Sequence, residues 1–90
     1  MYVAVCVELA GEDSRRAALE LLAQYGFKRV LGALYESYTV SDERLARLKH
    51  DLDRTTDSYD RVRFYQYPLA DTLVITDLET KKWRRKKIVI

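Results

Sequence analysis

The sequence predicts an α+β fold, a single antiparallel sheet with two helices on one face. Three observations lead there. Two stretches repeat their apolar residues at helical spacing, and the runs around them are rich in β-branched and aromatic residues. Their order, strand, helix, strand, strand, helix, strand, is that of the split βαβ arrangement.

The chain opens with Tyr2–Glu8, YVAVCVE, an apolar run that reads as a buried strand ending on a carboxylate. A charged residue in a core strand needs a partner or a role, so Glu8 is the first candidate functional residue. Cys6, inside the same run, is expected to be a small buried hydrophobe. From Ser14 to Tyr25 the residues Ala18, Leu21, Leu22 and Tyr25 fall at i, i+3, i+4 and i+7, which predicts a helix capped by Ser14 or Asp13 and stopped by Gly26. Strands are expected at Lys28–Leu31 and Ala33–Val40. Gly32 between them marks either a bent hairpin or one strand with a bulge. A second helix begins after Ser41, with Asp42 and Glu43 at the positive end of its dipole and Leu45, Leu48 and Leu52 on one face, and ends near Thr55-Thr56. Arg61–Tyr67 follows as a strand that Pro68 is expected to close, and Thr72–Thr76 as further strand material. The result is a ferredoxin-like βαββαβ sandwich over residues 1–68, with residues 69–90 forming an extra C-terminal edge strand and a basic tail.

Ninety residues make one domain. A chain of this size buries only about 60–65% of its unfolded surface, so its core is marginal and a homodimer is the expected remedy. Sixteen basic and fourteen acidic residues leave a net charge of +2, too small to point to a polyanion. Their distribution is more telling. From Lys81 to Lys87 the chain reads KKWRRKK, with Lys81, Lys82, Arg84, Arg85, Lys86 and Lys87 around Trp83. This is either a phosphate-binding surface, whose affinity falls steeply with salt, or a solvated edge kept from aggregating by its lysines. Trp83 favours contact, with a base or with a partner chain.

A single cysteine excludes an intramolecular disulfide, and no run approaches the roughly 20 apolar residues of a membrane span, so a cytoplasmic protein without membrane contact is expected. His50 has no His or Cys at metal-ligand spacing and is expected to be solvated. P-loop, dinucleotide, zinc and serine-triad signatures are all missing.

The succession of an acid at the end of the first strand, the acidic turn Gly11-Glu12-Asp13-Ser14, the basic helix start Arg15-Arg16 and then the segment YGFKRV from Tyr25 to Val30 resembles the small CRISPR-associated Cas-two (Cas2) family. The likeness runs from Tyr2 to about Ile75 and rests on the order of motifs. It implies a homodimer in which a segment such as Leu73-Val74-Ile75 adds an edge strand to the partner's sheet. It also implies a nucleic-acid partner, DNA or RNA, and a CRISPR integrase subunit.

By the same resemblance Glu8 stands where the family typically has Asp, the ligand that two chains bring together around magnesium or manganese. Glu8, Arg15 and Arg29 would then be the catalytic group of a metal-dependent endonuclease, with Arg16 and Tyr35 as nucleic-acid contacts. An arginine can hold a phosphate bidentately and an aromatic face can stack a base. The extra methylene of Glu8 moves the carboxylate by roughly a bond length, and a displacement of about 1 Å can cost about 100-fold in rate. Ala17 and Ala33 also replace a basic and a small polar residue common in the family. These departures suit a dimeric scaffold in spacer acquisition that holds DNA without cutting it. Read from its own surroundings, Glu8 is a strand-end acid paired with Arg15, Arg16 or another cation. An RNA-recognition module is disfavoured because ALYESYTV, Ala33–Val40, lacks the glycine-aromatic strand signature. A regulatory or toxin-type domain of the same architecture remains a competing reading.

Overall fold

The computed structural model describes residues 1–90. Its elements are β1 (Tyr2–Glu8), α1 (Glu12–Gln24), β2 (Lys28–Leu31), β3 (Leu34–Ser37), α2 (Asp42–Thr55), β4 (Arg61–Leu69), β5 (Thr72–Glu79) and β6 (Lys82–Val89). They form one six-stranded sheet in the order β2-β3-β1-β4-β5-β6, antiparallel throughout. The first four positions have the strand order of a ferredoxin-like sheet, each helix joining two strands that flank a third. β5 and β6 extend it beyond β4.

Alternation along the strands sets two faces. Val3 and Val5 of β1, Val62 and Phe64 of β4 and Leu78 of β5 point to the helices. There they meet Ala18 and Leu22 of α1 and Leu45, Leu48 and Leu52 of α2 in one core. Each such leucine or phenylalanine contributes about 1.5–3 kcal/mol of burial. Ser41 caps α2, its Oγ accepting from the Arg44 amide at 3.2 Å. Helix α1 starts earlier than its periodicity predicts, at Glu12. Gly11 takes the cap position with no side-chain bond, so neither Ser14 nor Asp13 is the cap. Glu12 and Asp13 instead occupy the first turn, where the helix dipole favours acids.

Four other expectations are corrected. Cys6 is exposed rather than buried, and Glu8 is exposed as well. β1 is covered by helices on one side only, and alternation turns both residues to the open side. The third strand is shorter than Ala33–Val40, spanning Leu34–Ser37. Pro68 does not end β4, because it falls in the register break between Gln66 and Leu69 where no ladder amide is required.

The basic segment is not a tail but β6, paired with β5 from Glu79↔Lys82 to Thr72↔Val89. Leu73-Val74-Ile75 consequently lies inside the sheet, between β4 and β6, instead of at an edge free to join another chain. The turn from β5 to β6 is made by Thr80 and Lys81, both with positive φ (52° and 61°) and neither of them glycine. That strained pair is held from outside. The Lys81 ammonium donates to the Asp53 carbonyl and, at 3.1 Å, to the Thr56 carbonyl, and lies 2.7 Å from Asp53 Oδ1. Lys81 thus closes the C-terminal end of α2, where a cation is favoured.

Candidate nucleic-acid interface

On the helix side of the sheet, Arg15 from the start of α1, Arg29 from β2 and Tyr35 from β3 line one cavity of about 290 Å³, floored by Val7, Leu9 and Leu19. Three separate elements are needed to bring them together. Arg29 and Tyr35 are directly opposite across β2 and β3, which gives them a common face. Gly32, with φ of +47°, makes the tight turn between those strands, and its carbonyl accepts from Arg29 Nε at 2.9 Å. That bond fixes the guanidinium while leaving its outer nitrogens available to a phosphate. Arg16, one residue on in α1, is exposed and stands outside this lining.

Glu8 is not with them. It lies on the open face, in a second cavity of about 280 Å³ that it shares with Cys6, Arg61 and Arg63. The two cavities meet along Val7 and Ala33, which line both. Glu8 is thus not paired with Arg15 or Arg16; its cross-strand neighbour is Arg61, as Arg63 is that of Cys6.

Arg61 makes a forked contact with Asp77, Nη2 to Oδ2 at 2.9 Å and Nε to Oδ1 at 3.3 Å, and its Nη1 lies 3.7 Å from Glu79. Asp77, with lesser help from Glu79 and Glu8, holds the Arg61 proton more tightly than usual. Arg63 Nε sits 3.3 Å from the same Asp77 Oδ2, off the hydrogen-bond axis, and its Nη1 donates to Tyr65 Oη at 3.3 Å. In the sequence Arg61 and Arg63 stand out by alternating with Tyr59, Tyr65 and Tyr67, a mix that either binds single strands or forms sheet core and rim, whereas nothing singles out Asp77. The i, i+2 spacing of the two arginines was a usable signal for a shared face, but the opposing carboxylate depends on register.

The donor set around Glu8 does not fit a divalent cation within one chain. Magnesium and manganese take several oxygen ligands, whereas the charged side chains beside Glu8 in its cavity are guanidinium groups, and nowhere does the chain gather three His, Cys, Asp or Glu side chains at metal-binding distance.

Along β6 the cations divide between faces. Register places Lys82, Arg84 and Lys86 opposite Glu79, Asp77 and Ile75 on the open side, and Arg85 and Lys87 opposite Thr76 and Val74 on the helix side. Trp83 also turns to the helix side. Its ring packs 6.2 Å from that of Phe64, and its Nε1 donates to Asp53 Oδ2 at 3.3 Å. The Lys81 bond, with that of Trp83, holds the Asp53 carboxyl below the usual range despite some burial.

On the same side Lys49 of α2 lies over the Phe64 ring, 5.3 Å from its centroid, and donates to Gln66 Oε1 at 2.5 Å. Burial first, and Arg85 second, push the Lys49 ammonium down to about 8. The sign follows from proton counting. Between pH 8 and 10.5 the unfolded chain keeps a proton on Lys49 that the folded chain has released, so stability rises with pH across that window. Below it the charged form is a cost, and Lys49→Met should stabilise the protein at pH 7 by about 1 kcal/mol after allowance for solvent screening. Urea denaturation at pH 7 and pH 10 checks this: the gain should be present at the lower pH and smaller at the higher.

The fold and these surfaces define a small α+β protein of ferredoxin-like strand order with cations gathered at two places on the helix side and along its C-terminal edge. The family model for CRISPR associated protein Cas2 matches residues 1–72, and the chain belongs to that family. No curated protein and no solved structure matches it. None of its helices is long and apolar enough to cross a membrane.

Proposed function

We propose that this Cas2-family chain works in the cytoplasm as a homodimeric scaffold that holds DNA beside a CRISPR integrase subunit during spacer acquisition. The observation that carries the reading is the convergence of Arg15, Arg29 and Tyr35 on one cavity. Two guanidiniums and an aromatic ring there suit a phosphate and its neighbouring base or sugar, without any need for sequence readout. Dimer symmetry would present that pair of arginines twice.

The second reading is metal-dependent endonuclease activity, on RNA or DNA, favoured by the exposure of Glu8 at a strand end where a second copy can reach it. Glu8 is the residue that would hold magnesium or manganese, which would supply an activated water. What the chain itself provides is Arg15 and Arg29 to steady the phosphate.

One experiment separates these. The protein, Glu8→Ala and the double variant Arg15→Gln/Arg29→Gln are incubated with labelled duplex DNA and single-stranded RNA, with magnesium or manganese and with chelator. Salt-sensitive retention of duplex without cleavage is expected. The double variant should bind about tenfold more weakly, with a salt slope flatter by about 2, while Glu8→Ala retains binding. Cleavage that requires both metal and Glu8 would replace the scaffold by a nuclease. Neither retention nor cleavage would return the chain to a regulatory role.

A further inference from the structure

The cations on the helix side of β6 are not explained by the cavity around Arg15 and Arg29. Arg85 and Lys87 project on the side covered by α2, two residues apart on one face of β6, and Lys49 of that helix lies close enough to Arg85 to feel its charge. The groups form a continuous track across α2, β4, β5 and β6. Gln66 Oε1 accepts from Lys49 Nζ and also from Thr76 Oγ1 at 3.3 Å, and Thr76 is the register partner of Arg85.

No carboxylate forms an ion pair with this track, and Asp42 of α2 favours the Lys49 charge less than burial and Arg85 oppose it. The four ion pairs of the chain join Arg61 to Asp77 and Glu79, Arg63 to Asp77 and Lys81 to Asp53, so none reaches Lys49, Arg85 or Lys87. Asp53, the acid of α2 nearest this strand, is already taken by Lys81 and Trp83. Protection of an open edge accounts for exposed lysines on β6 but not for a half-buried ammonium on the neighbouring helix, one whose charge burial and Arg85 disfavour. A bound oxyanion removes the conflict. An arginine fork flanked by two ammonium groups matches the several oxygens of a phosphate better than the two of a carboxylate.

We propose that Lys49, Arg85 and Lys87 form a phosphate-binding seam between α2 and β6, separate from the Arg15 and Arg29 cavity. The phosphate can be free or part of a nucleic-acid backbone, and the backbone source rests on the scaffold reading above.

The test follows the Lys49 side-chain nitrogen resonance in the intact protein as pH is varied, without addition, with inorganic phosphate, and with a short duplex DNA lacking terminal phosphates. The charged groups acting on Lys49 are Arg85 across the seam and Asp42 on its own helix. Phosphate should raise the pH at which Lys49 titrates by about one, and Arg85→Gln should remove most of that rise. The duplex should do the same, and the triple variant Lys49→Met/Arg85→Gln/Lys87→Gln should flatten the salt dependence of duplex binding by about 2 to 3. Lys49→Met keeps the apolar stem over Phe64, and thermal unfolding confirms that the variants are folded before binding is scored.

A response to phosphate but not to duplex would support the seam with free phosphate as its ligand. Failure of the unmodified protein to bind duplex would remove the scaffold reading and leave the seam to be judged on the phosphate arm. A Lys49 resonance unmoved by both would overturn the proposal.

Discussion

Phe64→Ala is expected to destabilise the chain by about 3–5 kcal/mol, the range for removing a fully buried aromatic side chain. A domain of this length has about 5–13 kcal/mol in total. Phe64 is 0% exposed in β4, opposite Val5 of β1 and Thr76 of β5, and belongs to the single core. Its ring also supports two groups at the rim of that core, the Lys49 ammonium and the Trp83 indole. Removing it therefore opens a cavity and loosens both α2 and the outer hairpin. Phe64→Leu retains most of the volume and should cost less than about 1.5 kcal/mol. Urea denaturation of both variants measures the difference. A similar small loss for both would mean that the sheet and α2 collapse onto the vacated space.

The elements that hold this core were legible because their signals are local. The i, i+3, i+4 apolar pattern marks Ala18, Leu22, Leu45, Leu48 and Leu52, and all five are buried. The order of elements was equally legible, and with it the β2-β3-β1-β4 arrangement. What escaped depends on pairing across the sheet. YVAVCVE is nearly continuous in apolar residues and reads as a strand buried on both sides, yet only its helix side is covered, which leaves Cys6 and Glu8 exposed. The β5 to β6 hairpin carries no glycine or asparagine to announce it, because Thr80 and Lys81 take left-handed conformations held by contacts with α2. Without that turn, KKWRRKK reads either as a solvated tail or as a protected edge strand, and the second is what the sheet contains.

The candidate site divides in the same way. Arg15, Arg29 and Tyr35 could be nominated from the order of motifs, and their convergence is a product of register. Glu8 could be nominated too, but its face could not. One residue out of phase would have placed it with Arg15, whereas the actual phase sets it against Arg61.

Asp60→Ala should produce the second large effect, a loss of about 2–4 kcal/mol from two backbone donors left without acceptors. Asp60 is 2% exposed at the entry to β4. Its Oδ1 accepts from the Ala10 amide at 2.8 Å and its Oδ2 from the Asp57 amide at 3.0 Å. One side chain thereby ties the loop between β1 and α1 to the loop between α2 and β4. Nothing local in the sequence marks this role, since Ala10 and Asp60 are fifty positions apart. The tie matters for function because the β1 to α1 loop fixes where Glu8 ends one element and Arg15 begins the next. Asp60→Asn keeps one acceptor oxygen but turns an amide donor toward a backbone donor, so it should recover only part of the loss. Thermal unfolding should show a fall of roughly 10–20 °C for Asp60→Ala. Hydrogen exchange at the Ala10 amide should rise even under conditions where the variant remains folded. Exchange at Ala10 no faster than in the unmodified chain would show that the loop holds its position without Asp60, and would shift the burden of orienting Arg15 onto the packing of α1 alone.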